Sequence, residues 1–421
     1  MKRLRKSIES LGLELPRETF AWWASVFFTL SVLSYLISIA ASQTFLAAAG
    51  LVYAAGWIRH RDPLRFPPLG WPVVLFCGWT VLSVLGSSDP RVGWFAVRKL
   101  VLFLILLFAV SLVRSLRHLE WLYRALFVEG AVASLLGIAQ FFMQYRQVKV
   151  EHPHHIYQFM TYTRMTGFMG DWMNFAGQQM LVMTMLIAFL LFEKHRGRIW
   201  WWIAAVVGVA IILNMTRGVW LGCFVGAVYL LARWKPRVLW GIPILMLIGY
   251  GLLPKVAQDR VTSVLHPSRD ASIAMRFEMW GVGLRMMKKH PLLGVGPNTI
   301  PEVYDLYLPP GKMPDRGYHG HLHSDYVQFA AERGLPCLAL WLWLMIAIAR
   351  KTLQARKSCS SGRWMIDGAM AGWLALMTEG AFEFNFGTSP VLMLYLLVAA
   401  TPFIVESIER RRGGGLATAS S

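Results

Sequence analysis

Runs of about twenty apolar residues constrain this chain most, because each is long enough to cross the ~30 Å hydrocarbon core of a bilayer as a helix. They recur along most of its 421 residues. Inside a bilayer every backbone N–H and C=O must be satisfied within the protein, and a helix does this within one segment. Composition agrees: 56% of the residues are hydrophobic and only 15% are charged, where a soluble domain carries about a quarter. The fold class that follows is all-α, a polytopic membrane protein. Apolar segments fall near 20–41, 43–58, 71–88, 99–113, 119–143, 172–192, 199–215, 218–233, 237–253, 335–349, 364–382 and 388–406, which makes about 12 transmembrane helices.

The formal charge of +19 would point to nucleic acid in a soluble chain. Here much of it occupies short loops: Lys2/Arg3/Arg5/Lys6, Arg59/Arg61/Arg65, Arg114/Arg117, Lys194/Arg196/Arg198, Arg233/Lys235/Arg237, Arg350/Lys351/Arg356/Lys357 and Arg410–Arg412. With twelve crossings all of these clusters fall on one side. The positive-inside rule makes that side cytoplasmic, together with both termini. One crossing more or fewer would break the alternation, so the charge pattern supports the count. The bilayer is therefore an expected partner and nucleic acid is not. "MKRLRK" before the run Phe20–Ala41 resembles a secretory signal, but the run is too long for one, so an uncleaved first span is expected. Cys77 and Cys223 lie in apolar spans, Cys337 at a span end and Cys359 in a basic loop, without CxxC spacing. Neither a zinc site nor a disulfide framework is indicated.

The opposite face then carries Ser87–Trp94, the loop 144–171, a tight turn at Asn214–Arg217, the segment Pro254–Gly334 and the turn "EFNFGTSP". A connection as long as 254–334 is uncommon unless it is functional or disordered, and this one is not low in complexity. It contains "SIAMRFEMWGVGLRMMKKH", where Ile273, Phe277, Trp280, Leu284 and Met287 follow the i, i+4, i+7 spacing of an amphipathic helix. Such a helix can rest on a membrane surface, and Pro291 with two glycines ends it.

Several polar residues on this face can carry chemistry. Arg217 begins an apolar span; it is either a snorkelling anchor or a clamp for an anion, since a guanidinium donates two parallel hydrogen bonds to a phosphate. Arg276 lies at the margin of the amphipathic stripe, either solvated or turned toward protein. In "HGHLHSDYVQFAAERG", His319, His321 and His323 alternate, and Ser324 is a candidate N-cap for a helix over Asp325–Arg333 closed by Gly334. A ring at that helix start meets partial positive charge, which disfavours imidazolium and attracts anions such as phosphate. A general base and a diphosphate would both suit the place. His152, His154 and His155 lie on the same face, so a metal is the competing reading; no carboxylate or cysteine in fixed register accompanies them, and no metal or cofactor is expected. Glu379 and Glu383, four apart, would share a helix face and orient a histidine or a sugar hydroxyl, or tie helix ends together.

With these residues in view, the chain resembles the O-antigen ligase and polymerase superfamily of bacterial membrane glycosyltransferases. The resemblance rests on "RMTGFMGDWMNFAGQQM", "TRGVWLG", "RFEMWGVGLRMMKKHPLLGVGPN", "HLHSDYVQFAAERGLPCL" and "EFNFGTSP", in that order, over roughly residues 164–400. His323, Ser324 and Gly334 satisfy the ligase pattern, while Cys337 departs from its last position. The resemblance implies His323, Arg217 and Arg276 as catalytic residues, with His321, Arg164, Glu383 and Asn385 as substrate-binding candidates. It also implies metal-independent transfer of a glycan from undecaprenyl diphosphate at the periplasmic face of the inner membrane. The acceptor is lipid A-core in ligases and a second lipid-linked glycan in polymerases; a third kind of member glycosylates proteins. The expected organisation is an N-terminal set of helices over 1–163, a ligase-like region over 164–406 that includes 254–334, and a cytoplasmic tail over 407–421. A transporter of lipid-linked sugars is the alternative of a different class; inverted repeats or broken midplane helices would mark one, and the sequence shows neither.

Overall fold

The computed structural model describes residues 18–60, 66–253, 255–262, 271–312 and 320–418. The expected basic residues at 2–6, Arg61, Arg65 and His319 lie outside them. Among the described residues the chain is helical, with no strand. The principal helices are α1 (Thr19–Val32), α2 (Ile39–His60), α3 (Gly70–Leu85), α4 (Pro90–Lys99), α5 (Leu104–Leu112), α6 (Leu116–Glu151), α7 (Ile156–Tyr162), α8 (Trp172–Phe192), α9 (Ile199–Leu213), α10 (Arg217–Trp234), α11 (Ile242–Leu252), α12 (Lys255–Thr262), α13 (Ala271–Lys289), α14 (Ile300–Val303), α15 (Asp325–Ser358), α16 (Arg363–Glu379) and α17 (Ser389–Thr418). Six stretches among the described residues are long and apolar enough to cross a membrane, and each of the apolar segments read from the sequence overlaps a helix.

α16 is central, packed against α8, α10, α15 and α17. The closeness of α10 follows from composition: Gly218, Gly222 and Gly226 recur every fourth residue and form one face. A Cβ on Gly222 would lie 2.8 Å from the Ala375 carbonyl oxygen, and one on Gly226 3.0 Å from that of Ala371. Small residues at this spacing let two backbones meet, which brings the start of α10 beside Glu379, the last residue of α16.

Three elements differ from the sequence reading. The segment 20–41 is not one helix: α1 stops at Val32, and Leu33–Ile37 turn before α2 begins at Ile39. That turn contains buried Tyr35 and Leu36, so hydropathy cannot see it. α6 continues to Glu151, past the expected end near 143. "QYRQVKVE" is polar yet built of good helix formers, and Pro153 follows. The loop 144–171 is thus partly helical, with α7 beyond it. Finally, α13 packs through Met275, Met279, Val282 and Met286, whereas Phe277 and Leu284 of the expected stripe are exposed. The helix has two apolar sides, and spacing alone selected the outer one.

Candidate functional site

Gly334 breaks α15, and the segment that follows α13 meets it there, while the end of α16 meets the start of α15. Gly334 takes φ 80° and ψ 169°, a conformation open to glycine, and a Cβ there would stand 1.9 Å from the Leu292 carbonyl oxygen. The turn 291–296 can therefore lie across the end of the first half of α15. Val295 and Gly296 N–H groups donate to the Ala331 and Glu332 carbonyls, each at 2.9 Å, and Leu335 N–H donates to Pro291 at 2.8 Å. Carbonyls left open by a helix end are satisfied in this way. "HPLLGVGPN" and "ERGLP" thus form one crossing.

At the other end of this half-helix, Ser324 is the N-cap and its hydroxyl accepts from Val327 N–H, as its position before Asp325 predicts. His323 precedes it with φ 46°, an uncommon conformation for a residue with a side chain. Its neighbour Leu322 is fixed from two sides: its N–H donates to Gln328 Oε1 at 2.7 Å, and its carbonyl accepts from Trp280 Nε1 of α13 at 3.1 Å. Asp325 N–H donates to the Gly380 and Glu383 carbonyls at 2.7 and 3.1 Å, and Asp325 Oδ1 accepts from Phe386 N–H at 3.2 Å. These bonds fasten the start of α15 to the turn 380–388.

That turn presents Glu383 to both His323 and Arg276. His323 Nδ1 lies 2.7 Å from Glu383 Oε2, and the Arg276 Nη2 group pairs with Glu383 Oε1. Arg276 also donates from Nε to the Phe382 carbonyl at 3.2 Å and from Nη1 to Ser272 Oγ at 2.7 Å. Burial pushes the Glu383 carboxyl up, but the Arg276 guanidinium, followed by His323, outweighs it and brings the carboxyl from an ordinary 4.5 to about 2. Glu383 is therefore an acceptor, so His323 Nδ1 carries the hydrogen and the lone pair resides on Nε2. His323 Nε2 is buried and has no hydrogen-bond partner among the described residues. Among the described residues three of the five guanidinium donors of Arg276 are engaged.

The other expected residues fall around this group. Arg217 opens α10 and is half-buried; a Cβ on its neighbour Gly218 would lie 3.5 Å from both Glu379 Cγ and Phe382 Cβ. Arg164 stacks at 3.8 Å over Trp172, donates from Nε to the Thr161 carbonyl at 2.9 Å, and reaches Thr216 Oγ1, the residue before Arg217, at 3.5 Å. The ring of His321 meets that of His323 edge-on at 4.3 Å, and its Nδ1 accepts from His323 N–H at 3.4 Å. Asn385 is 1% exposed, and its amide donates to Glu379 Oε1 at 2.6 Å. Glu379 and Glu383 do not share a helix face, because α16 ends at Glu379 with Gly380 as its cap. The turn nevertheless carries both carboxylates inward. Cys337 is buried in the main core.

Among the described residues no group of three His, Cys, Asp or Glu side chains is placed to hold a metal; His152 instead stacks on Phe159 at 3.6 Å. The sequence reading missed Ser272, which reaches Arg276 from one turn before it, and the small-residue face of α10. The second was present as glycine at every fourth position.

Residues 202–342 match the family model described as O-antigen ligase, a family of membrane glycosyltransferases. A search of curated proteins finds no match.

Proposed function

We propose, from the O-antigen ligase family domain that this chain carries, that it transfers a glycan from undecaprenyl diphosphate to an acceptor hydroxyl of lipid A-core at the periplasmic face of the bacterial inner membrane. The observation that carries the reading is the imidazole of His323, held through Nδ1 by Glu383 with Nε2 unpaired among the described residues, beside the Arg276 guanidinium. In the reaction the acceptor oxygen attacks the anomeric carbon and His323 Nε2 takes its proton. The bond from that carbon to the phosphate oxygen breaks, and its electron pair leaves with the diphosphate. Attack opposite the leaving group inverts the anomeric centre. Charge growing on the phosphate is met by Arg276 and Arg217, and preorganised donors of this kind contribute about 10²–10³-fold. A positioned base adds about 10²–10⁴-fold.

The test is a transfer assay with purified protein and an undecaprenyl diphosphate glycan, offering lipid A-core or a second lipid-linked glycan as acceptor. His323→Ala, Arg217→Ala and Arg276→Ala are each expected to abolish transfer while the protein stays in the membrane; near-normal transfer by all three would sink the assignment. EDTA is expected to leave the rate unchanged. Product formed only with the lipid-linked acceptor would replace the ligase reading with the polymerase one.

A further inference from the structure

A cavity of about 900 Å³ lies away from His323, between α2 and the α4–α5 stretch. Its walls are mostly apolar, including Leu51, Trp57, Phe95 and Leu104. Its floor is where the helices meet: a Cβ on Gly50 would lie 3.4 Å from Phe108, and Tyr53 packs edge-on to the same ring. The cavity is a groove with a direction. One end has Gln43, Arg98, Lys99 and Ser389, and the other has Trp57.

The polar end adjoins the candidate site. Lys99 Nζ donates to the Gly387 carbonyl at 2.8 Å, and Gly387 belongs to the turn that presents Glu383. Arg98 is exposed there, with its guanidinium over Phe95. Positive charge therefore marks the mouth, and apolar surface runs away from it. From Gln43 to Trp57 the groove follows α2 for a length of about 21 Å, at ~1.5 Å per residue. Half of a ~30 Å hydrocarbon core is about 15 Å, the reach available to an acyl chain of one leaflet. The groove is longer than that.

We propose that this groove holds the lipid chain of a polyprenyl diphosphate donor, its anionic head emerging at Arg98 and Lys99 beside the turn that carries Glu383. This rests on the donor class proposed above. It assigns donor length selection to helices outside the matched family domain. The chain would lie along α2, and the head would be delivered toward Arg276.

Ala47 and Ala54 line the groove, are exposed and lie seven residues apart on α2, so Ala47→Trp/Ala54→Trp fills it without disturbing packed side chains. The experiment compares KM for glycan diphosphates carrying a full-length polyprenyl chain or one of a few isoprene units. The wild type is expected to favour the long chain by about tenfold, and the filled variant to show a ratio near one. Leu135→Trp, on an exposed part of α6, should keep the wild-type ratio. A long-chain preference that survives filling, or no preference in the wild type, overturns the proposal. A photoreactive polyprenyl diphosphate without glycan supplies a second arm that needs no turnover. Cross-links at Leu51 or Leu104 that excess unlabelled polyprenyl diphosphate removes, and phospholipid does not, support the groove even if the proposed transfer fails. Labelling elsewhere, or displacement by phospholipid, overturns it even if transfer is observed.

Discussion

His323 combines a left-handed backbone, with φ 46°, and a side chain tied to a buried carboxylate. Strain of this kind costs about 1–3 kcal/mol and persists where the surroundings over-determine it. Here Trp280 and Gln328 hold Leu322, and Ser324 caps the next helix. Glu383 is the residue on which the arrangement turns. Glu383→Gln replaces an acceptor with an amide that can donate to Nδ1 and so favour the tautomer with the hydrogen on Nε2; transfer should fall by about 10²–10⁴-fold, and Glu383→Asp should recover part of it. The same carboxyl gives a pH prediction. Its folded value, about 2, lies below its ordinary 4.5, so its contribution to stability is present above pH 4.5 and is lost as pH falls from there toward 2. Melting of the detergent-solubilised protein should therefore decline over that window more steeply in the wild type than in Glu383→Gln. At this scale the Ser324 N-cap beside His323 was legible, because helix-start chemistry is local. The sequence offered both Glu379 and Glu383 as partners for a histidine and could not choose between them, since the approach of Glu383 is set by a turn that spacing misreads as helix.

Among elements, the crossing of 291–296 over α15 decides where the site can form. Gly294 and Gly334 face each other's backbone so closely that a Cβ on Gly294 would lie 2.2 Å from the carbonyl carbon of Glu332. Gly334→Ala must both relieve that overlap on its own side and adopt φ 80°. Strain alone is worth about 1–3 kcal/mol, so thermal unfolding in detergent should show at least that loss; an unchanged midpoint would mean the crossing opens freely. Glycine and proline punctuation made the kink readable from sequence. The orientation of α13 was not readable, because methionines at 275, 279 and 286 and the stripe through Phe277 are both apolar at helical spacing. Only packing against α15 distinguishes them, through Gly283, where a Cβ would meet Val327 Cγ1 at 2.5 Å.

For the whole molecule, apolar runs and basic loops predict twelve crossings with both ends cytoplasmic. The helical fold and the six long apolar stretches among the described residues were readable because burial in a bilayer is written in composition. Which helices lie inside was not. α17 has 89% of its most apolar window buried and α2 only 22%, a difference that comes from neighbours. Cysteines placed one at a time in a background lacking the four natural ones test the topology. Lys194→Cys and Lys357→Cys should react with an impermeant maleimide only after the membrane is opened, whereas Tyr162→Cys and Gly311→Cys should react in intact cells. The reverse pattern at any of the four would remove a crossing.

The staples across the crossing reach well beyond the stretch matched to the family. Trp79 Nε1 donates to the Arg333 carbonyl at 3.0 Å, Ser83 Oγ to that of Leu293 at 2.6 Å, and Lys99 Nζ to that of Gly387 at 2.8 Å. Glu383 itself lies past residue 342, where the match ends. The recognisable segment is therefore not a transplantable cassette. Moved into another set of helices, it would bring His323, Arg217 and Arg276 but leave behind the carboxylate that joins two of them and the early helices that brace their backbone. Sequence drift in α3 and α4 is thereby tethered to the chemistry of residues more than two hundred positions away.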